Sequence, residues 1–145
     1  MKITICGSIE FVYEIKAISE KLIQVGYQTE IPLTCQRILK GELTLEEFKK
    51  EKEKNGDGSL RKIKDDVIKR YYNSIKNCDA ILIVNIEKKG VAGYIGGNTF
   101  LEMGFAYVLE RKIFLLNPIP EDVSYADEIK AMADVILNGD LSKIK

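Results

Sequence analysis

Histidine is absent from this 145-residue chain. Its absence removes Ser-His-Asp and Cys-His catalysis and any His-ligated metal site. Acid–base or nucleophilic chemistry then falls to carboxylates, Tyr, Lys, Ser or Cys. A net charge is also missing, because Lys+Arg and Asp+Glu both total 22. No overall field therefore points to a nucleic-acid polymer or a membrane surface as partner. Cysteines are few: Cys6, Cys35 and Cys78 are odd in number and lack metal-ligand spacing. Cys6 and Cys78 lie in apolar runs, which suits buried thiols in a reducing cytoplasm and leaves no metal expected. No apolar run approaches a membrane span, and the opening Met1–Cys6 is too short for the apolar region of a secretory leader. The length suits one domain over residues 1–145 with a core of ordinary size.

What is present alternates between strand and helix patterns. Ile3–Cys6 reads as a short buried strand stopped by Gly7-Ser8. Ile15, Ile18, Leu22 and Ile23 mark a helix that runs to Gly26 as its C-terminal stop, and Tyr27–Ile31 looks like a second strand. Thr44-Leu45-Glu46-Glu47 has the form of a capping box and opens the charged run Glu46–Lys54, which reads as solvated helix. Asn55-Gly56-Asp57-Gly58-Ser59 is a turn cluster without the ligand pattern of a calcium loop. A helix from Leu60 to Asn77 shows Ile63, Val67, Tyr71, Ser74 and Ile75 at helical spacing, and the strand Ala80–Val84 follows. A helix over Thr99–Glu110, a strand Ile113–Leu116, a short helix Tyr125–Met132 and a last strand Val135–Leu137 complete the series. Such alternation implies parallel βαβ units in a three-layer α/β domain. The polar segment between Pro32 and Ser59 would run over the carboxyl edge of the sheet.

The stretch richest in chemistry is Gly93-Tyr94-Ile95-Gly96-Gly97-Asn98-Thr99-Phe100-Leu101-Glu102. It lacks the Gly-Lys-Ser/Thr ending of a P-loop and the spacing of a dinucleotide fingerprint. Gly96, Gly97, Asn98 and Thr99 still suit a backbone cradle for phosphate or sugar oxygens at a helix start, or else a plain flexible connection. Glu102 has two readings as well. It is the last residue of a capping box headed by Thr99, or, with Asn98 as cap, a carboxylate turned into the cleft. Near a helix N-terminus it would be held ionised, which suits a nucleophile and not a general acid.

Other candidates lie at the same edge. Gly7 and Ser8 end the first strand and can bind an anion or simply cap the first helix. Asn85 and Asn117 both end strands, where an amide can read a base or a hydroxyl. Tyr71 and Tyr72 can stack on a base or donate a phenol hydrogen bond, or sit in the core. Asp79 opens a strand as a structural turn residue.

Together these residues resemble the nucleoside 2-deoxyribosyltransferase family and its relatives, the 2'-deoxynucleoside 5'-phosphate N-hydrolases. The likeness is carried by Cys6-Gly7-Ser8, Ile75-x-x-Cys78-Asp79, Ala80-Ile81-Leu82-Ile83-Val84 and Glu102-Met103-Gly104-Phe105-Ala106. The last run is similar to the family's Glu-x-Gly-Tyr/Arg-Ala signature. Gly96-Gly97-Asn98-Thr99-x-x-Glu102 is also similar to a motif of cytokinin-activating phosphoribohydrolases, which cleave the same kind of bond.

The resemblance implies a flavodoxin-like parallel sheet of about five strands with Glu102 as nucleophile at C1' and no cofactor. It further implies a homodimer or higher oligomer, with Lys130 on the Tyr125–Met132 segment meeting a 5'-phosphate. The family carries an aspartate eight residues before Asp79 where this chain has Tyr71, and a hydroxyl or acidic residue six before Glu102 where it has Gly96. Tyr71, or Asp65 or Asp66 a turn earlier, would then assist the leaving base. The expected activity is cleavage or transfer at the N-glycosidic bond of a (deoxy)nucleoside or its 5'-monophosphate. The alternatives are a nucleotide-binding module without chemistry, or a phosphoribohydrolase acting on a ribosyl nucleotide.

Overall fold

The computed structural model describes residues 1–54 and 59–145. Most of the turn cluster Asn55–Ser59 and the side chain of Ile63 lie outside the described residues. Five strands form one parallel sheet: β1 (Lys2–Cys6), β2 (Gln28–Glu30), β3 (Ala80–Ile83), β4 (Lys112–Leu115) and β5 (Val135–Ile136), in the order β2-β1-β3-β4-β5. This is the flavodoxin-like order, whose ligands bind where the connections reverse direction, between the carboxyl ends of β1 and β3.

The period-two alternation of the strands sorts the core into two layers. Ile3, Ile5, Ala80, Leu82 and Phe114 pack on one face. There they meet α1 (Val12–Gln24) through Val12, Ile15 and Leu22, and α2 (Leu33–Leu39) through Cys35 and Ile38. Cys6, Ile81, Ile83, Ile113 and Leu115 turn to the other face. Its helices are α4 (Ser59–Lys76), α5 (Gly97–Val108) and α6 (Ala126–Met132), contributing Tyr71 and Ile75, Met103 and Ala106, and Ile129. The three-layer arrangement is as the sequence implies. Among the described residues of the expected stripe of α4, Val67 departs from it, being 43% exposed.

Local signals account for most boundaries. Gly26 adopts φ +98° just past α1, the left-handed stop a glycine makes without strain. The Thr44 hydroxyl accepts from the Glu47 N–H at 3.1 Å and opens α3 (Leu45–Lys54). The Asp79 carboxylate accepts the Lys2 N–H at 2.7 Å, tying the starts of β1 and β3 together. The segment after Pro32 is more firmly anchored than its polarity suggests. Cys35, Ile38 and Leu43 are buried, and Phe48 of α3 packs against the same layer. Cys6, Cys35 and Cys78 are all buried free thiols. Among the described residues no helix is long and apolar enough to cross a membrane.

Candidate functional site

Gly7 and Ser8 leave β1 at the reversal point. Gly7 is held close to the neighbouring chain: a Cβ there would lie 3.1 Å from the Val84 carbonyl oxygen. Ser8 accepts the Glu10 N–H at 3.3 Å and caps a single 3-10 turn over Ile9–Phe11. Its hydroxyl also accepts from Lys88 Nζ at 3.0 Å.

The glycine-rich loop between β3 and α5 is internally braced. The buried Asn85 side chain donates to the carbonyls of Asn117 and Pro118 at 3.0 and 3.1 Å and accepts the Asn117 N–H at 3.0 Å. Asn117 returns a bond from Nδ2 to the Asn85 carbonyl, also at 3.0 Å. Both strand-end amides are thus engaged in joining the β3 and β4 exits, which leaves Asn85 no amide proton for a base. Gly93 sits at φ +64°, and a Cβ there would lie 2.6 Å from the Pro118 carbonyl oxygen, so only glycine fits. The Tyr94 ring lies over Gly96, its hydroxyl 3.0 Å from where a Cβ would project. Tyr125 donates its hydroxyl to the Ile95 carbonyl and stacks on Phe100 at 4.5 Å, fixing the entry to α5.

The helix itself begins earlier than either sequence reading has it. Gly96 is the cap and α5 starts at Gly97, so Thr99 is already inside the helix and Glu102 is its sixth residue. No capping box forms, and Glu102 lies beyond the first turn, where the helix dipole acts. Thr99, Met103 and Ala106 face the sheet, and Glu102 stands about 100° round from Met103. Burial, not the dipole, sets its charge. Desolvation pushes the Glu102 carboxyl up to about 8, against a downward pull from a hydrogen bond with the Cys6 thiol. The expectation of a carboxylate held ionised is corrected accordingly. Cys6 ends β1 on this face, and its own thiol is held protonated by burial and by the Glu102 charge.

Tyr71 is buried beneath the pair and donates its hydroxyl to the Ile5 carbonyl at 2.6 Å. Burial and the nearby Cys6 and Glu102 charges raise its phenol well above the ordinary range. Tyr72 meets Phe105 edge-on at 5.4 Å, in the contact between α4 and α5. Asp65 is paired with Lys69 at 2.8 Å, and both Asp65 and Asp66 are exposed. Lys130 is exposed on α6, while Gly97 opens onto free space with nothing within 4 Å of a Cβ.

Two groups at this edge escaped the sequence reading. Lys88 reaches back from the strand exit to Ser8 and to the Glu10 carboxylate at 2.8 Å, with its side chain only 13% exposed. Lys49 of α3 holds the other oxygen of Glu10 at 3.3 Å. The basic pair Lys88-Lys89 directly before the glycines was the available signal.

No family model and no curated protein matches the chain. Among solved structures it is similar to the CMP N-glycosidase of Clostridium botulinum, at 17% identity and a TM-score of 0.50, covering 95% of this chain and 90% of that one. It is also similar to a 2-deoxyribosyltransferase of the psychrotolerant bacterium Bacillus psychrosaccharolyticus, at 19% identity and a TM-score of 0.60, covering 94% and 85%. At these identities the likeness is one of fold.

Proposed function

We propose that the protein cleaves or transfers the N-glycosidic bond of a (deoxy)nucleoside or its 5'-monophosphate, with Glu102 as nucleophile. One observation carries this reading. A half-buried carboxylate, poised near neutrality, stands beside the end of β1 at the point where this fold binds its ligands. The two solved structures of similar fold are named for an N-glycosidase and a deoxyribosyltransferase, which supports the same bond.

In the first step a Glu102 oxygen attacks C1', the C1'–N bond breaks, and its electron pair leaves with the base, which takes a proton from water. In the second, water or another base attacks C1', the ester bond to Glu102 breaks, and the carboxylate is restored. A raised pKa makes the ionised form a better nucleophile while keeping about a tenth of it ionised at neutral pH. The Cys6 thiol steadies that form by hydrogen bonding. Backbone amides of Gly96, Gly97, Asn98 and Thr99, with Gly7 and Ser8, hold sugar and phosphate oxygens in this reading. Tyr71 serves the site as support, because its proton is directed to the Ile5 carbonyl. A homodimer would let the exposed Lys130 reach a neighbouring site, and the cytoplasm is the compartment that suits three free thiols.

The Tyr71 geometry also favours a second reading, a nucleotide-binding module without chemistry. Base release from nucleosides and 5'-monophosphates, followed beside Glu102→Gln, separates the two. Release that vanishes in the variant, with a glycosyl adduct on Glu102 from a 2-fluoro-deoxyribosyl substrate, is the expected result. Binding without release by either protein supports the module.

A further inference from the structure

α5 is the middle helix of its layer, packed against α4 on one side and α6 on the other. Its outward face is apolar. Leu101, Tyr107 and Val108 are 42%, 56% and 73% exposed, and Glu102 is the only charged residue in the helix. By contrast, α1, α3, α4 and α6 each carry three or more charges. A surface helix turns charged or polar groups outward, whereas one that is apolar on every side is covered. Gly104 sharpens the contrast. It lies between Leu101 and Val108 on one stripe, with nothing within 4 Å of a Cβ. Alanine would favour the helix there, and no neighbour among the described residues requires a glycine.

The stripe is also complementary to itself. Leu101 stands three residues before Gly104 and Val108 four after it, so a two-fold axis through Gly104 sets each leucine beside the other copy's valine. Beside Val108 lies a groove of about 550 Å³. Tyr107, Val108 and Met132 form its apolar wall, while Glu110, Arg111, Lys112 and Asp134 give its rim two charges of each sign. The same axis carries Leu101 of a second copy to the mouth of that groove. It also lays α4 of one copy along α6 of the other. Among the described side chains, α4 bears Lys64, Lys69, Arg70 and Lys76 against Asp65 and Asp66. α6 and the segment entering it bear Glu121, Asp122, Asp127 and Glu128 against Lys130. A net positive flank thus meets a net negative one twice over, and a chain of zero net charge adds no general repulsion between copies.

We propose that two copies of this chain associate through the outward faces of α5, antiparallel about Gly104, where the absent side chain lets the two helices approach closely. Leu101, Tyr107 and Val108 form the apolar centre of the interface, and α4 and α6 supply its charged rim. The assignment does not rest on the chemistry proposed for Glu102. It gives the homodimer implied by the resemblance a definite surface.

Sedimentation equilibrium of the full chain between about 1 and 100 µM tests it, with a dimer of dissociation constant about 10 µM or below expected. Val108→Glu should stay monomeric across that range with unchanged circular dichroism. Tyr13→Glu, at a comparably exposed apolar position on α1, should remain dimeric. A second measurement is independent of how Val108→Glu folds. Gly104→Cys should form an interchain disulfide on mild oxidation, and Leu101→Cys should link to Val108→Cys when the two are mixed. A wild type that is monomeric at the highest concentration, a dimer that survives Val108→Glu, or no cross-link through Gly104→Cys would overturn the assignment. An intact dimer without base release would leave this interface standing and count against the Glu102 chemistry alone.

Discussion

Cys6, the last residue of β1, and Glu102, in the middle of α5, act on one another's titration across the boundary between sheet and helix. The Cys6 thiol lowers a pKa that burial has raised to about 8. For a nucleophilic Glu102, kcat/KM for base release should rise with pH through about 8 and then level. Removing the thiol in Cys6→Ala should move that rising limb upward by about half to one pH unit. A limb that falls through the same pH would make Glu102 a proton donor instead.

The same carboxyl links stability to pH. Its folded pKa of about 8 lies above its unfolded value. Between about pH 4.5 and 8 the native chain therefore keeps a proton that the unfolded chain releases. Stability from this group is complete below that window, falls as pH rises across it, and changes no further above it. Glu102→Gln abolishes the dependence. Thermal unfolding should show the variant gaining on the wild type by about 5 °C or more between pH 5 and pH 9. A constant difference at both pH values would contradict the burial account.

Tyr71→Phe tests whether the phenol acts on substrate. The variant loses the 2.6 Å bond to the Ile5 carbonyl, and should be less stable by about 1–2 kcal/mol in urea unfolding. Base release should stay within about threefold of wild type. A fall of about a hundredfold or more would assign Tyr71 the role of general acid.

Two glycines of the loop should behave in opposite ways. Gly93→Ala places a methyl 2.6 Å from the Pro118 oxygen at φ +64°, and should destabilise by about 2 kcal/mol or more. Gly97→Ala meets nothing within 4 Å and should leave the unfolding midpoint almost unchanged. If the Gly97 amide approaches a phosphate or sugar oxygen, the added methyl should raise KM about tenfold with little effect on kcat.

The order of strands and helices was legible, except for α2, because short β-branched runs alternate with helical stripes and each signal is local; the seven residues of α2 are too few to show a stripe. Ile81 and Ile83, for example, take one face of the sheet while Ala80 and Leu82 take the other. Glu102 could be singled out from its motif, but its electrostatics could not. The two-residue advance of α5 to Gly97 moves it out of the dipole's reach, and its burial depends on β1 folding against it. The Asn85–Asn117 bonds and the Lys88–Ser8 contact span 32 and 80 residues, so no spacing rule reveals them. The Asn85 amide that looked free to read a base is therefore engaged in the fold, and the Lys88 contacts with Ser8 and Glu10 show only in three dimensions.

β1 lies between β2 and β3, and the Asp79 carboxylate that ties down its first amide lies 77 residues downstream of Lys2. A ribosome needs on the order of ten seconds to make that stretch. Throughout that time the most apolar strand of the N-terminal half has only the three-residue β2 to pair with. The nascent chain thus leaves one edge of β1 unpaired until β3 emerges, while α1 and α2, made earlier, can already cover Ile3 and Ile5.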